Sequence, residues 1–158
     1  GDAIAVSLIS SNNFTSEDFV MSHPSGSLGR RLLTLVSSIM KSGKDIPIVS
    51  KETLLIDSLL VMSEKALGMV LIAENEKLIG IFTDGDLRRA LESNVDFQKL
   101  AIEKVMTKNC KSIEPEQSAL IAIQMMKKYS INSFPVVDSN NNIAGAINMN
   151  TLIQAKLI

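Results

Sequence analysis

The stretch Gly80-Ile81-Phe82-Thr83-Asp84-Gly85-Asp86-Leu87 decides how this chain is read, because Gly145-Ala146-Ile147-Asn148-Met149-Asn150-Thr151-Leu152 repeats its plan about 65 residues later. Each runs from apolar residues into a polar group closed by leucine, the pattern of a strand passing into a helix. Working outward, Asp45 to Ser50 parallels Cys110 to Pro115, and Ile39-Met40 parallels Val105-Met106. Met62 likewise parallels Met126 and Leu67 parallels Ile131, with one residue inserted near Asn142. Such a period is too long for most solenoids and fits two small domains.

Both copies share one order of elements. A short extended segment comes first (48–50 and 112–114). An amphipathic helix follows, with Leu54, Leu55, Leu59, Met62 and Leu67 at helical spacing in the first unit and Leu120, Ile121, Ile123, Met126 and Tyr129 in the second. Thr53 and Glu116 stand near the predicted helix starts. Two strands are predicted next, over 68–73 and 77–82 in one unit and over 134–137 and 142–147 in the other. Their turns lie at 74–76 and 138–141, and closing helices span 86–93 and 150–157. Each unit is therefore β-α-β-β-α, an α/β (α+β) arrangement. About sixty residues bury too little surface to be robust alone, so the repeat predicts a pseudo-two-fold pair packed face to face around a shared core.

The composition allows this. The chain has 158 residues, 46% apolar and 21% charged, with 16 Lys and Arg against 17 Asp and Glu. A near-balanced charge argues against a dedicated nucleic-acid binder, which needs a basic surplus to displace counterions. One cysteine, Cys110, makes no internal disulfide, and with one histidine, His23, it cannot build a Cys/His zinc site. No cofactor or metal is expected. No apolar run has membrane-spanning length and no secretory signal is visible, so the expectation is a cytoplasmic protein with no membrane partner. The apolar run from Ala3 to Ile9 predicts a helix buried against something N-terminal to it, and the chain is read as the C-terminal part of a longer protein.

Before the repeat, Thr15-Ser16-Glu17-Asp18 has capping-box spacing. A loop from Ser22 to Ser27, containing His23, Pro24 and Gly26, leads into a helix predicted from about Leu28 to Met40.

Several residues have chemistry worth following. An imidazole ordinarily titrates near neutrality, so His23 suits acid–base work; the plain alternative is a loop histidine bonding a helix start. Thr83, Asp84 and Asp86 sit at a strand-to-helix junction. A hydroxyl and a carboxylate so spaced can face one ligand, and helix-start N–H groups can meet a phosphate. The same spacing equally supports helix capping. Arg89 can pair with a phosphate or carboxylate, or make an i,i+3 contact with Asp86 or Glu92. Lys41, in the basic loop before the first strand, either borders a cleft or is plain loop.

The repeated unit resembles a CBS domain. Gly80 to Leu87 matches that family's Gly-apolar-apolar-Thr/Ser-x-x-Asp-apolar motif, and the resemblance runs from about Val36 to Ile158. The preceding segment resembles the end of the sugar isomerase (SIS) domain of D-arabinose 5-phosphate isomerases of the KdsD/KpsF/GutQ family. The residues that carry this are Gly1-Asp2-Ala3-Ile4-Ala5, Phe14-Thr15-Ser16-Glu17-Asp18-Phe19 and Ser22-His23-Pro24-Ser25-Gly26-Ser27-Leu28-Gly29-Arg30-Arg31, with Ser25 in place of a glycine. The resemblance implies a tandem CBS pair (Bateman module) with divisions at 1–35 (SIS end and linker helix), 36–98 (CBS 1) and 99–158 (CBS 2).

It further implies a parent that isomerises D-ribulose 5-phosphate to D-arabinose 5-phosphate for Kdo synthesis, with His23 in its active site and a sugar phosphate as substrate. This chain alone is expected to be inactive and to self-associate, as a dimer of CBS pairs within a tetrameric full-length protein. The CBS pair is expected to sense a nucleotide or nucleotide-sugar such as CMP-Kdo. Two alternatives stay open: an adenine-nucleotide sensor, and a pair that only supports oligomerisation. In the second unit Asn148 and Thr151 replace the motif's hydroxyl and carboxylate, while Asn132 and Ser133 can still line a cleft. One dominant ligand is therefore expected, in the cleft whose floor includes Thr83 and Asp86.

Overall fold

A computed structural model of the chain describes residues 27–158. In order, the elements are α1 (Ser27–Leu33), α2 (Val36–Ile39), a 3-10 turn (Gly43–Asp45), β1 (Ile48–Ser50), α3 (Leu55–Lys65), β2 (Met69–Glu74), β3 (Lys77–Thr83) and α4 (Asp84–Glu92). A second 3-10 turn (Ile102–Lys104) precedes α5 (Ala119–Tyr129), β4 (Ser133–Val137), β5 (Ile143–Asn148) and α6 (Met149–Gln154). In the first unit β1 pairs parallel with β2, and β2 antiparallel with β3; in the second, β4 pairs antiparallel with β5.

β2 is buried on both faces, which is why its apolar run is unbroken. Val70 and Ile72 point into the first unit's core with Leu55, Met62 and Phe82. Met69 and Leu71 alternate to the other face and join Ile46, Ile81 and Ala146 in a layer common to both units. The second unit's own core gathers Ile113, Met126, Phe134, Ile147 and Leu152. The shared layer supplies the burial that a sixty-residue unit lacks.

The two units exchange their leading segments. Residues 34–41 lead toward β1 of the first unit yet pack on the second, where Val36, Ile39 and Met40 complete its core. Residues 100–107 lead into the helix and strands of the second unit yet pack on the first, through Ile102, Val105 and Met106. The exchange follows one plan twice. Leu35 pairs with Ser118 as Ala101 pairs with Leu54, and Lys41 pairs with Ala146 as Thr107 pairs with Ile81. Gly145 and Gly80 make the close approach possible. A Cβ on either would stand 2.5 Å from the sulfur of Met40 or Met106, respectively.

This exchange accounts for one departure from expectation and for the way the central helices start. The helix predicted over 28–40 is two helices, because Thr34 accepts a hydrogen bond from the Ala119 N–H and the Val36 N–H donates to the Gln117 carbonyl. Those pairings need extended backbone at Leu35, which has ψ 146°. The central helices begin just after Thr53 and Glu116, at Leu55 and Ala119, without a side-chain cap. The carbonyls of Leu100 and Phe97 accept from the first N–H groups of α3, and that of Thr34 accepts from the first of α5. The closing helices also start earlier than predicted, at Asp84 and Met149, and α6 ends at Gln154.

Candidate functional site

Each β-hairpin delivers its chain into a closing helix through a reciprocal capping box, one charged and one neutral. In the first unit the carboxylate of Asp86 is the acceptor. Its Oδ2 takes the Thr83 N–H at 2.9 Å and the Thr83 hydroxyl at 3.3 Å. Its Oδ1 takes the Thr107 hydroxyl at 2.8 Å and a guanidinium N–H of Arg89. In the second unit the Thr151 hydroxyl accepts the Asn148 N–H at 3.4 Å, and the main acceptor is Asn148. Its Oδ1 takes the Thr151 N–H at 2.9 Å and the Thr151 hydroxyl at 2.7 Å.

Asp86 is 5% exposed with both oxygens engaged. It is bonded to Thr83 and is not a lining residue of the cavities beside that motif. The capping reading of Thr83 and Asp86, and the i,i+3 reading of Arg89, describe this geometry. The expected cleft floor of Thr83 with Asp86 is replaced by Thr83 with Asp84, because the strand enters α4 at Asp84 and turns Asp86 inward.

Three cavities run together along the junction of the units. One, about 230 Å³, is lined by Thr83, Asp84 and Gly85 from the first unit and Ser130 to Ser133 from the second. A central one, about 290 Å³, shares Gly68, Asp84, Asn132 and Ser133 with it and adds Asn148 and Asn150. The third, about 230 Å³, shares Ala66, Leu67, Asn148 and Asn150 with the centre and adds Lys41, Lys65 and Gln154. Thr83, Asp84, Asn132 and Ser133 are thus brought together, Lys41 stands at the opposite end, and Asp86 with Arg89 lies outside. His23 falls outside the described residues.

Lys65 and Gln154 were not legible in the sequence. Each ends a helix, and only the packing of the units makes them converge. No group of three or more His, Cys, Asp or Glu able to hold a metal occurs among the described residues, and no helix there is long and apolar enough to cross a membrane. The groove can offer hydroxyl, amide and carboxylate groups to a polar ligand at one end and ammonium groups at the other.

Comparison with known proteins agrees with this architecture. The chain is 46% identical over 157 residues to "Arabinose 5-phosphate isomerase KdsD" of Francisella tularensis and 42% identical over 159 residues to the Escherichia coli K12 protein of that name. These alignments cover 99% and 100% of this chain but 48% of each relative, so the chain spans about half the length of the curated relatives it matches. Among solved structures, the CBS domain pair of protein MJ0100, in complex with methylthioadenosine and S-adenosylmethionine, superposes with TM-score 0.67 at 25% identity. That likeness covers 78% of this chain and 99% of the other. Residues 36–93 and 102–157 each match the CBS domain family, and the chain belongs to that family as a tandem pair.

Proposed function

We propose that this chain is the ligand-sensing portion of an arabinose 5-phosphate isomerase. The parent interconverts D-ribulose 5-phosphate and D-arabinose 5-phosphate, by proton transfer between adjacent carbons through an enediol, on the way to Kdo. The observation that carries this reading is identity of 42–46% with KdsD proteins across nearly the whole chain, both CBS units included. His23 serves acid–base chemistry in a site completed by an SIS domain, and the present chain is inactive by itself. The protein is cytoplasmic and homo-oligomeric.

The regulator is a nucleotide or nucleotide-sugar held in the groove between the units, with CMP-Kdo as the leading candidate. Support comes from the groove's hydroxyl, amide and charged lining and from the adenosine ligands of MJ0100, a pair of the same fold. Calorimetric titration of the chain with CMP-Kdo, AMP and ATP tests the reading. Saturable heat at one ligand per CBS pair is expected. Absence of binding to all three would leave oligomerisation as the role of the pair.

A further inference from the structure

The groove is electrically polar. Lys41 and Lys65 line one end. Asp84 lines the centre and the far end, where the nearby Arg89 guanidinium, beside Gly85, is paired with Asp86. Asp84 is exposed, and it makes no ion pair among the described residues. Its Oδ2 lies 3.4 Å from where a Cβ on Gly68 would be, so the carboxylate sits over a residue with no side chain to displace it. At the other end, the Lys65 ammonium donates to the Lys44 carbonyl at 2.6 Å, a contact that orients the cation without neutralising it. Between the ammonium end and Asp84 the polar lining is amide, with Asn148 and Asn150 shared by adjoining cavities.

Like charges near one another in a partly desolvated groove repel far more than in bulk water, and opposite charges attract correspondingly. We propose that Lys41 and Lys65 anchor a ligand whose anionic charge is gathered in one place, a phosphate monoester or a phosphate with an adjoining carboxylate. The uncharged part of the ligand extends over Asn148 and Asn150, and Asp84 rejects ligands whose negative charge continues toward the centre, nucleoside di- and triphosphates above all. The inference rests on the groove being the sensing site and assigns its specificity.

The test is titration of the 158-residue chain with two series, cytidine, CMP and CTP, and adenosine, AMP and ATP. In the series that binds, the monophosphate is expected to bind about tenfold more tightly than the triphosphate. Lys65→Ala should weaken the monophosphate about fivefold and leave the nucleoside unchanged, whereas Asp84→Asn should narrow the gap between mono- and triphosphate about fivefold. Circular dichroism confirms folding of both variants. A triphosphate that binds as tightly as the monophosphate, or a gap unchanged by Asp84→Asn, overturns the specificity while leaving the sensing role standing. Failure of both series and of CMP-Kdo to bind overturns the sensing role and this inference together.

Discussion

The first unit carries three paired strands and the second only two, although both descend from one repeated plan. The difference traces to Pro135. In the first unit the Leu71 N–H donates to the Pro47 carbonyl at 2.7 Å and extends the parallel pairing of β1 with β2. The position matching Leu71 in the second unit is Pro135, which has no N–H to donate. Pairing there contracts to the single bridge between Ile113 and Val136, and the extended segment expected over 112–114 does not become a strand. One residue type thus changes a strand count without changing the fold, because the buried positions on either side, Ile113 and Val136, remain apolar.

The glycines that seat the exchanged segments give the largest contrast to test. A Cβ at Gly145 would meet the Lys41 carbonyl oxygen at 2.6 Å, whereas one at Gly80 would meet the Thr107 carbonyl at 3.2 Å. Methionine side chains can move aside; a paired backbone carbonyl cannot do so without losing its ladder bond. Gly145→Ala should therefore destabilise the chain by about 3 kcal/mol and Gly80→Ala by about 1 kcal/mol, within the range for overpacking. Urea unfolding of the two variants decides it, and equal losses would mean that the two seats are equivalent.

The capping boxes come next. Asp86→Ala removes a buried carboxylate and strands the Thr83 N–H and the Thr107 hydroxyl, for a loss of about 2 kcal/mol. Thr151→Ala removes one hydroxyl from a neutral box and should cost about 1 kcal/mol, a typical cap. Thermal unfolding with Asp86→Ala no more damaging than Thr151→Ala would show that the charge in the first box contributes nothing.

The smallest effect lies in the hairpin turns. The first closes tightly with Asn75 and Glu76 at φ 54° and 68°, a primed turn made by backbone alone. The second has one more residue, and the Asp138 carboxylate organises it by accepting the N–H groups of Asn142 and Asn140, each at 2.9 Å. The Asn142 N–H above all holds the Asp138 carboxyl below its usual range. A carboxyl lowered in the folded state contributes stability that is complete above its unfolded value and is lost as pH falls through the folded value. The amide resonances of Asn140 and Asn142 should therefore shift together at a pH below the ordinary aspartate midpoint, while those of Asn75 and Glu76 stay still. A titration at the ordinary midpoint would contradict this role.

The repeat, its one-residue insertion near Asn142, the β-α-β-β-α order and the shared apolar layer were legible in the sequence. They rest on periodicity, turn residues and total buried area, which are properties of local runs. The break in the helix over 28–40 and the caps of α3 and α5 were not, because their hydrogen-bond partners lie across the molecule. Thr83 and Asp86 were read from spacing alone, which suits a cap and a ligand site equally, and only the packed structure turns Asp86 inward and leaves Asp84 to the groove. The exchange of leading segments was invisible for the same reason. Matching Ile39-Met40 to Val105-Met106 establishes that the two segments are equivalent, but each apolar face fits either core. The glycines, present in both units, permit the approach of either methionine and do not choose between the cores, so the choice is a tertiary one. The polarity of the groove is likewise a tertiary fact, since Lys41, Lys65 and Asp84 are separated in sequence and come to line adjoining cavities only in the packed structure.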